Sequence, residues 1–175
     1  TDFTGSVKSS MRIMDTALIV VNATEGVEVG TEIAVNYAKE YGIEICFVVN
    51  KLDYEKSDFD SAMAQLKENY GSHVAELQFP VNQGFGFDSI VDGLKMKLFK
   101  FNPDGKGDYT EHDIPDALKE KANALHQELI EIVAEEDEEL MSRFFDEGGT
   151  LTEEELIEGL SREIKAKKIL PVLCT

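Results

Sequence analysis

Asn50-Lys51-Leu52-Asp53 is the tetrapeptide of this chain with the most definite chemistry. It directly follows the apolar run Ile45-Cys-Phe-Val-Val49. An ionised Asp accepts two parallel hydrogen bonds, and guanine offers two adjacent donors, N1-H and the exocyclic N2 amine. Adenine presents no such pair, so one carboxylate tells the purines apart. The Asn amide can bond the acceptor edge of the base or tie neighbouring loops together. The Lys stem can lie along the ring face. Four residues alone recur by chance. Placed at the carboxyl end of a buried strand, they lie where open α/β sheets hold their ligands.

The elements around this turn can be read from hydrophobic periodicity. Ala17-Leu-Ile-Val-Val21 predicts a buried strand. Ile33, Ala34, Tyr37, Ala38 and Tyr41 recur at helical spacing, with Gly42 as a stop. After the Ile45 strand, Ser57 is a candidate cap for a helix whose stripe is Phe59, Met63, Leu66 and Tyr70, ended by Gly71. This β-α-β-α order predicts an α/β fold with a parallel sheet. Beyond Gly71 the pattern changes. Val74 to Val81 reads as a strand, 82–87 as a glycine-rich loop, Ile90 to Phe101 as antiparallel strands and 102–107 as a turn.

Helices follow. Leu118, Ala122, Leu125, Leu129 and Val133 predict one apolar face, with Glu128, Glu131 and Glu135 opposite. Leu140, Met141, Phe144 and Phe145 suggest a short second helix. Thr152 and Glu155 form a capping box for a third, with Leu156, Leu160 and Ile164 inward. Ile169-Leu-Pro-Val-Leu-Cys174 again reads as a strand. The expected organisation is therefore an α/β unit over 1–71, an inserted α+β subdomain over 72–167, and a strand over 168–175 that returns to the parent sheet.

Composition narrows the function classes. The 175 residues carry a net charge of −18, which argues against binding DNA or another phosphate backbone. The charge is uneven: residues 128–158 hold thirteen carboxylates against one basic side chain, Arg143. Such a window is either a solvated helical surface or a docking face for a basic protein. No apolar run approaches the roughly 20 residues that span a bilayer. Cys46 and Cys174 sit in strand-like runs and read as buried free thiols. His73, His112 and His126 show no metal-ligand spacing, and Asn22-Ala-Thr24 is a glycosylation sequon in form only. Gly84-Phe-Gly86 is too short for a dinucleotide loop and reads as a flexible turn.

A calcium-sensor reading competes. Residues 102–113 place Asp104, Gly107 and Asp113 at EF-hand positions 3, 6 and 12, and 144–155 offer a second such loop with Asp146, Gly149, Leu151 and Glu155. Its ligand chemistry is poor. Lys106 would put an ammonium beside the cation, Phe144 stands where a carboxylate is needed, and Asp113 is shorter than the usual bidentate Glu.

Taken in order, the motifs resemble translational GTPases, in particular bacterial elongation factor G or a paralogue of it. Thr1 to Arg12 resembles the segment after that family's D-T-P-G-H motif. Asn22-Ala-Thr-Glu-Gly-Val-Glu-Val-Gly-Thr-Glu32 is similar to its V-D-A-x-x-G-V-x-x-x-T/S-E stretch. Val49 to Asp53 is similar to the guanine motif, and Asp92-Gly-Leu-Lys-Met-Lys97 to the D-L-V-K-M-K signature of the inserted G′ subdomain. Leu129 to Phe145, Thr152 to Leu160 and Ile169 to Cys174 resemble later segments. Asn22 and Ser6 depart from the common Asp and Glu, as a paralogue's residues would.

The resemblance implies a truncated P-loop GTPase-type sheet with the G′ insertion. It implies a cytoplasmic parent protein that uses GTP and GDP with Mg²⁺ to drive translocation of tRNA and mRNA on the ribosome. Asn50, Lys51 and Asp53 would contact guanine. Glu128, Glu131 and Glu135 would face the ribosomal stalk protein. The catalytic His of D-T-P-G-H would precede Thr1, so no catalytic or metal-binding residue is expected here. The chain contains no G-x-x-x-x-G-K-[ST] phosphate loop. It is expected to be a fragment that hydrolyses no GTP and binds it weakly or not at all.

Overall fold

A computed structural model describes residues 4–103, 106–135, 141–142 and 150–175. After a short helix α1 (Thr4–Met11), the chain alternates β1 (Thr16–Asn22), α2 (Val29–Tyr41), β2 (Glu44–Asn50), α3 (Phe59–Tyr70) and β3 (Val74–Glu76). Then come β4 (Gln78–Pro80), β5 (Ser89–Asp92), β6 (Lys97–Phe101), β7 (Tyr109–His112), α4 (Asp116–Glu135), α5 (Glu153–Lys165) and β8 (Leu170–Cys174). The fold is α/β, with two sheets among the described residues. One is parallel in the order β1-β2-β8-β3, and the other is an antiparallel meander β4-β5-β6-β7.

The helices begin and end where local chemistry dictates. Gly42 closes α2 in the left-handed region at φ 65°, which costs glycine little. The cap of α3 is Asp58, not Ser57. The Asp58 carboxylate accepts from Ser61 N–H at 2.8 Å, whereas the Ser57 hydroxyl turns back to donate to Leu52 O at 3.0 Å. Thr152 and Glu155 form the expected reciprocal box at the start of α5. The suggested short helix around Leu140 to Phe145 falls mostly outside the described residues, of which Met141 and Ser142 are helical.

Two expectations are revised. The strand predicted over Val74 to Val81 is two strands in different sheets. Leu77 is the pivot: its N–H donates to Val172 O of β8 at 3.0 Å, and its carbonyl accepts from Gly93 N–H at 2.9 Å. Nor is β1 buried on both sides. Ala17, Ile19 and Val21 are in the core, but Leu18 and Val20 remain 62% and 56% exposed. A run of apolar residues cannot show whether a sheet has one face covered or two.

Helix α4 packs Ala122, Leu125, Leu129 and Val133 of the expected stripe inward, while Leu118 is half-buried. Its seat explains Gly93: a Cβ there would come within 2.7 Å of the Leu125 side chain. His126 reaches the same place, its Nδ1 lying 2.7 Å from Gly93 O. The C-terminal strand β8 enters between β2 and β3, pairing Val172 with both Phe47 and Glu76.

Candidate functional site

The Asn50–Asp53 turn leaves the sheet at the carboxyl end of β2, beside the end of β1. Asn50 pairs in register with Asn22, and its carbonyl accepts from Ala23 N–H at 2.9 Å. Its side-chain oxygen accepts from Lys51 N–H at 2.6 Å. That bond engages the amide oxygen and leaves Nδ2 available as a donor. Lys51 adopts φ 67°, the left-handed region that a non-glycine residue enters at a cost on the order of 1 kcal/mol. Its ammonium lies 5.4 Å from the centre of the Tyr54 ring.

Leu52 is fully buried, while Lys51 and Asp53 on either side of it are exposed. The turn is therefore pinned by one apolar side chain, with its charged groups in solvent. Its backbone is held as well. The Leu52 carbonyl accepts from both Ser57 Oγ and Gly84 N–H, the latter at 2.7 Å, and Tyr54 N–H closes onto Lys51 O at 3.2 Å. Asp53 makes no hydrogen bond or ion pair among the described residues. Its carboxylate retains its full accepting capacity, as a base-reading carboxylate requires.

Gln83 and Gly84 are the site residues that sequence reasoning missed. The 82–87 segment reads as a glycine-rich loop and Gly84-Phe-Gly86 within it as a flexible turn, yet the loop is hydrogen-bonded to the turn after β2 and to the start of α3, where Gln83 Oε1 accepts from Phe59 N–H at 2.7 Å. The glycine-rich composition was the available signal, and it marks close backbone approach as readily as flexibility.

The three carboxylates predicted on the far face of α4 line one cleft of about 310 Å³, together with Lys67, His73 and Lys168. They are not equivalent. Glu128 is ion-paired with Lys67 of α3 at 2.6 Å, Glu131 accepts from Gln127 Nε2 at 3.2 Å, and Glu135 is exposed.

Near Lys67 and Glu128, Glu76 at the end of β3 is largely withdrawn from solvent. Desolvation pushes its carboxyl up to about 7, with Glu128 and Asp60 adding to the rise and Lys121 and Lys67 opposing it. Burial likewise raises the Cys46 thiol, and it raises the Cys174 thiol to about 12. Both are free thiols.

The calcium reading gains no support. Tyr109 to His112, positions 8 to 11 of the first candidate loop, is a strand paired with β6. Asp113, its expected bidentate ligand, is paired with Lys97 at 2.6 Å, and Asp104 lies outside the described residues. Of the second loop, Phe144, Asp146 and Gly149 also lie outside them, and Glu155 is committed to the capping box of α5. Among the described residues no cluster of three or more His, Cys, Asp or Glu is placed to hold a metal. No helix among them is long and apolar enough to cross a membrane.

The family described as "Elongation factor Tu GTP binding domain" matches residues 1–174. A crystal structure of a protein from Thermus thermophilus is similar at a TM-score of 0.87 and 27% identity. The similarity covers 99% of this chain and 26% of that one. The chain thus spans about a quarter of that solved protein.

Proposed function

Because this chain belongs to the family of elongation factor Tu GTP-binding domains, we propose that its Asn50-Lys51-Leu52-Asp53 turn reads the guanine base within a GTPase of the elongation factor G type. The observation that carries this reading is the Asp53 carboxylate. It is exposed and without a partner among the described residues, on a turn anchored by buried Leu52. Asp53 accepts from N1-H and the N2 amine, Asn50 Nδ2 donates to the acceptor edge or to a neighbouring loop, and the Lys51 stem covers a ring face. GTP bound with Mg²⁺ supplies the hydrolysable phosphoanhydride. These residues supply recognition of the base.

In this reading, residues 1–71 and 168–175 contribute to the GTPase domain and the inserted subdomain lies within 72–167, beginning after β3, which pairs with β8 in the parallel sheet. Leu77, where the chain changes sheets, supports a division close to that point. The parent protein acts on the ribosome, promoting translocation of tRNA and mRNA. The 175 residues contain no phosphate loop, so by themselves they hydrolyse no GTP and bind guanosine nucleotides weakly, on the order of millimolar. NMR titration of the chain with GMP should shift the amides of Asn50 to Tyr54, and AMP should not. Equal shifts with both nucleotides would refute base reading, and sub-micromolar GTP affinity by calorimetry would refute the weak-binding claim.

Asp53→Asn gives a sharper result. An amide can accept from N1-H but donates where guanine also donates, whereas the C2 carbonyl of xanthine accepts there. The substitution should weaken GMP binding by about 1–3 kcal/mol and reverse the preference between GMP and XMP. A variant whose GMP and XMP affinities match those of the wild type would contradict the assigned role.

The exposed carboxylates of α4 support a second role, docking of a basic surface of the ribosomal stalk protein. The joint substitution Glu131→Lys with Glu135→Lys should slow association with isolated stalk protein by roughly tenfold at low salt, and less at high salt. A rate independent of both charge and salt would rule this surface out. Glu128 is a poor probe, since its reversal also breaks the Lys67 pair.

A further inference from the structure

We propose that Gln83 and Gly84 are positioning residues for the base-reading turn, so that the antiparallel sheet sets the aim of Asp53. This rests on the reading of Asn50 to Asp53 given above.

The two residues grip the segment between β2 and α3 at both ends. Gly84 N–H binds Leu52 O at 2.7 Å, and Gln83 Oε1 binds Phe59 N–H at 2.7 Å. The Leu52 carbonyl shares its peptide plane with Asp53 N. Pinning that oxygen therefore fixes the plane from which the Asp53 side chain departs. Phe59 N–H belongs to the first turn of α3, where a helix has no carbonyl of its own to offer. A side chain 24 residues away satisfies it.

The grip is itself rigid. Asn82 Nδ2 donates to Gly86 O at 2.7 Å, Phe87 N–H to Gly84 O at 3.0 Å and Val81 N–H to Ser89 O at 2.9 Å. The loop is thus braced internally and joined to β5. Gly84 is buried at φ 81° and faces Tyr54 O and the Glu55 backbone. A displacement of the antiparallel sheet against the parallel one is carried by this loop into the Leu52–Asp53 peptide.

Gln83 is exposed, so its substitution should spare the fold. In the full chain, Gln83→Leu should raise the exchange rate of the Phe59 amide about tenfold by hydrogen-exchange NMR, while Val91 and Leu98 in the antiparallel sheet keep theirs. Gln83→Glu, which retains an accepting oxygen, should restore protection. The GMP dissociation constant should rise several-fold in Gln83→Leu and in Gly84→Ala, and return to the wild-type value in Gln83→Glu. Unchanged Phe59 exchange in Gln83→Leu, or a GMP affinity equal to wild type in both weakened variants, overturns the clamp. Absence of any GMP preference over AMP in the wild-type chain overturns the base reading instead, and the exchange rates then still decide whether the loop holds the turn.

Discussion

Leu52→Ala is expected to lower the stability of the chain by about 2–5 kcal/mol, the usual cost of emptying a fully buried leucine site. Leu52 is 0% exposed, and it is the apolar anchor of a turn whose neighbours on both sides, Lys51 and Asp53, point to solvent. The turn cannot collapse freely onto the gap, because its backbone is tied to Ser57 and Gly84. Small domains have only about 5–15 kcal/mol in reserve. Urea denaturation should therefore show a clear fall in midpoint with little change in slope. Leu52→Met, which conserves volume, should cost less than about 1.5 kcal/mol. Near-equal midpoints for wild type and Leu52→Ala would mean that the side chain does not hold the turn. The same variant should weaken GMP binding without touching any atom that meets the base, since an unanchored turn must be ordered at the moment of binding.

The second large effect concerns acid and base. The Glu76 carboxyl is pushed from 4.5 to about 7, first by desolvation. Lys121 and Lys67 oppose the rise, and the carboxylates paired with them add to it: Asp60 lies 3.4 Å from Lys121 and Glu128 2.6 Å from Lys67. Between pH 4.5 and 7 the folded chain binds more protons at Glu76 than the unfolded chain does. Its contribution is fully present below pH 4.5 and is lost as pH rises through 7. The shift corresponds to a loss on the order of 3 kcal/mol at most. Glu76→Gln keeps the shape of the protonated side chain. It should stabilise the chain by about 1–3 kcal/mol at about pH 8 and have little effect at about pH 4.5. Denaturation at both pH values tests this, and a gain of equal size at each would point to packing rather than ionisation.

Much of this was written plainly in the sequence. The strand Ile45 to Val49 ending in Asn-Lys-Leu-Asp placed the candidate site, because apolar β-branched residues ahead of a polar turn admit few folds. The capping box at Thr152 and the stripe along α4 were equally direct. What escaped were features that depend on distant partners. Leu77 has nothing local to mark it as the point where the chain changes sheets; that follows from Val172 and Gly93. The exposure of Leu18 and Val20 depends on what covers the face, which alternation within β1 cannot reveal. Asp58 displaced Ser57 as the helix cap because Leu52 O offered the serine hydroxyl another acceptor. Gln83 and Gly84 escaped for the same reason, since their partners Leu52 and Phe59 lie more than twenty residues upstream.

The position of β8 between β2 and β3 has a kinetic consequence. Among the described residues, strand β3 has no neighbour in its sheet other than β8, which lies almost a hundred residues further along the chain. The β1–β2 pair can form as soon as α2 has linked it, but β3 must wait, and the whole antiparallel meander with α4 and α5 is made in the interval. Closing such a loop costs entropy before any pairing returns it, and parallel pairings of this separation form slowly. On a ribosome the chain would thus pass through a stage in which half of its parallel sheet exists and the edge destined for β8 stands open.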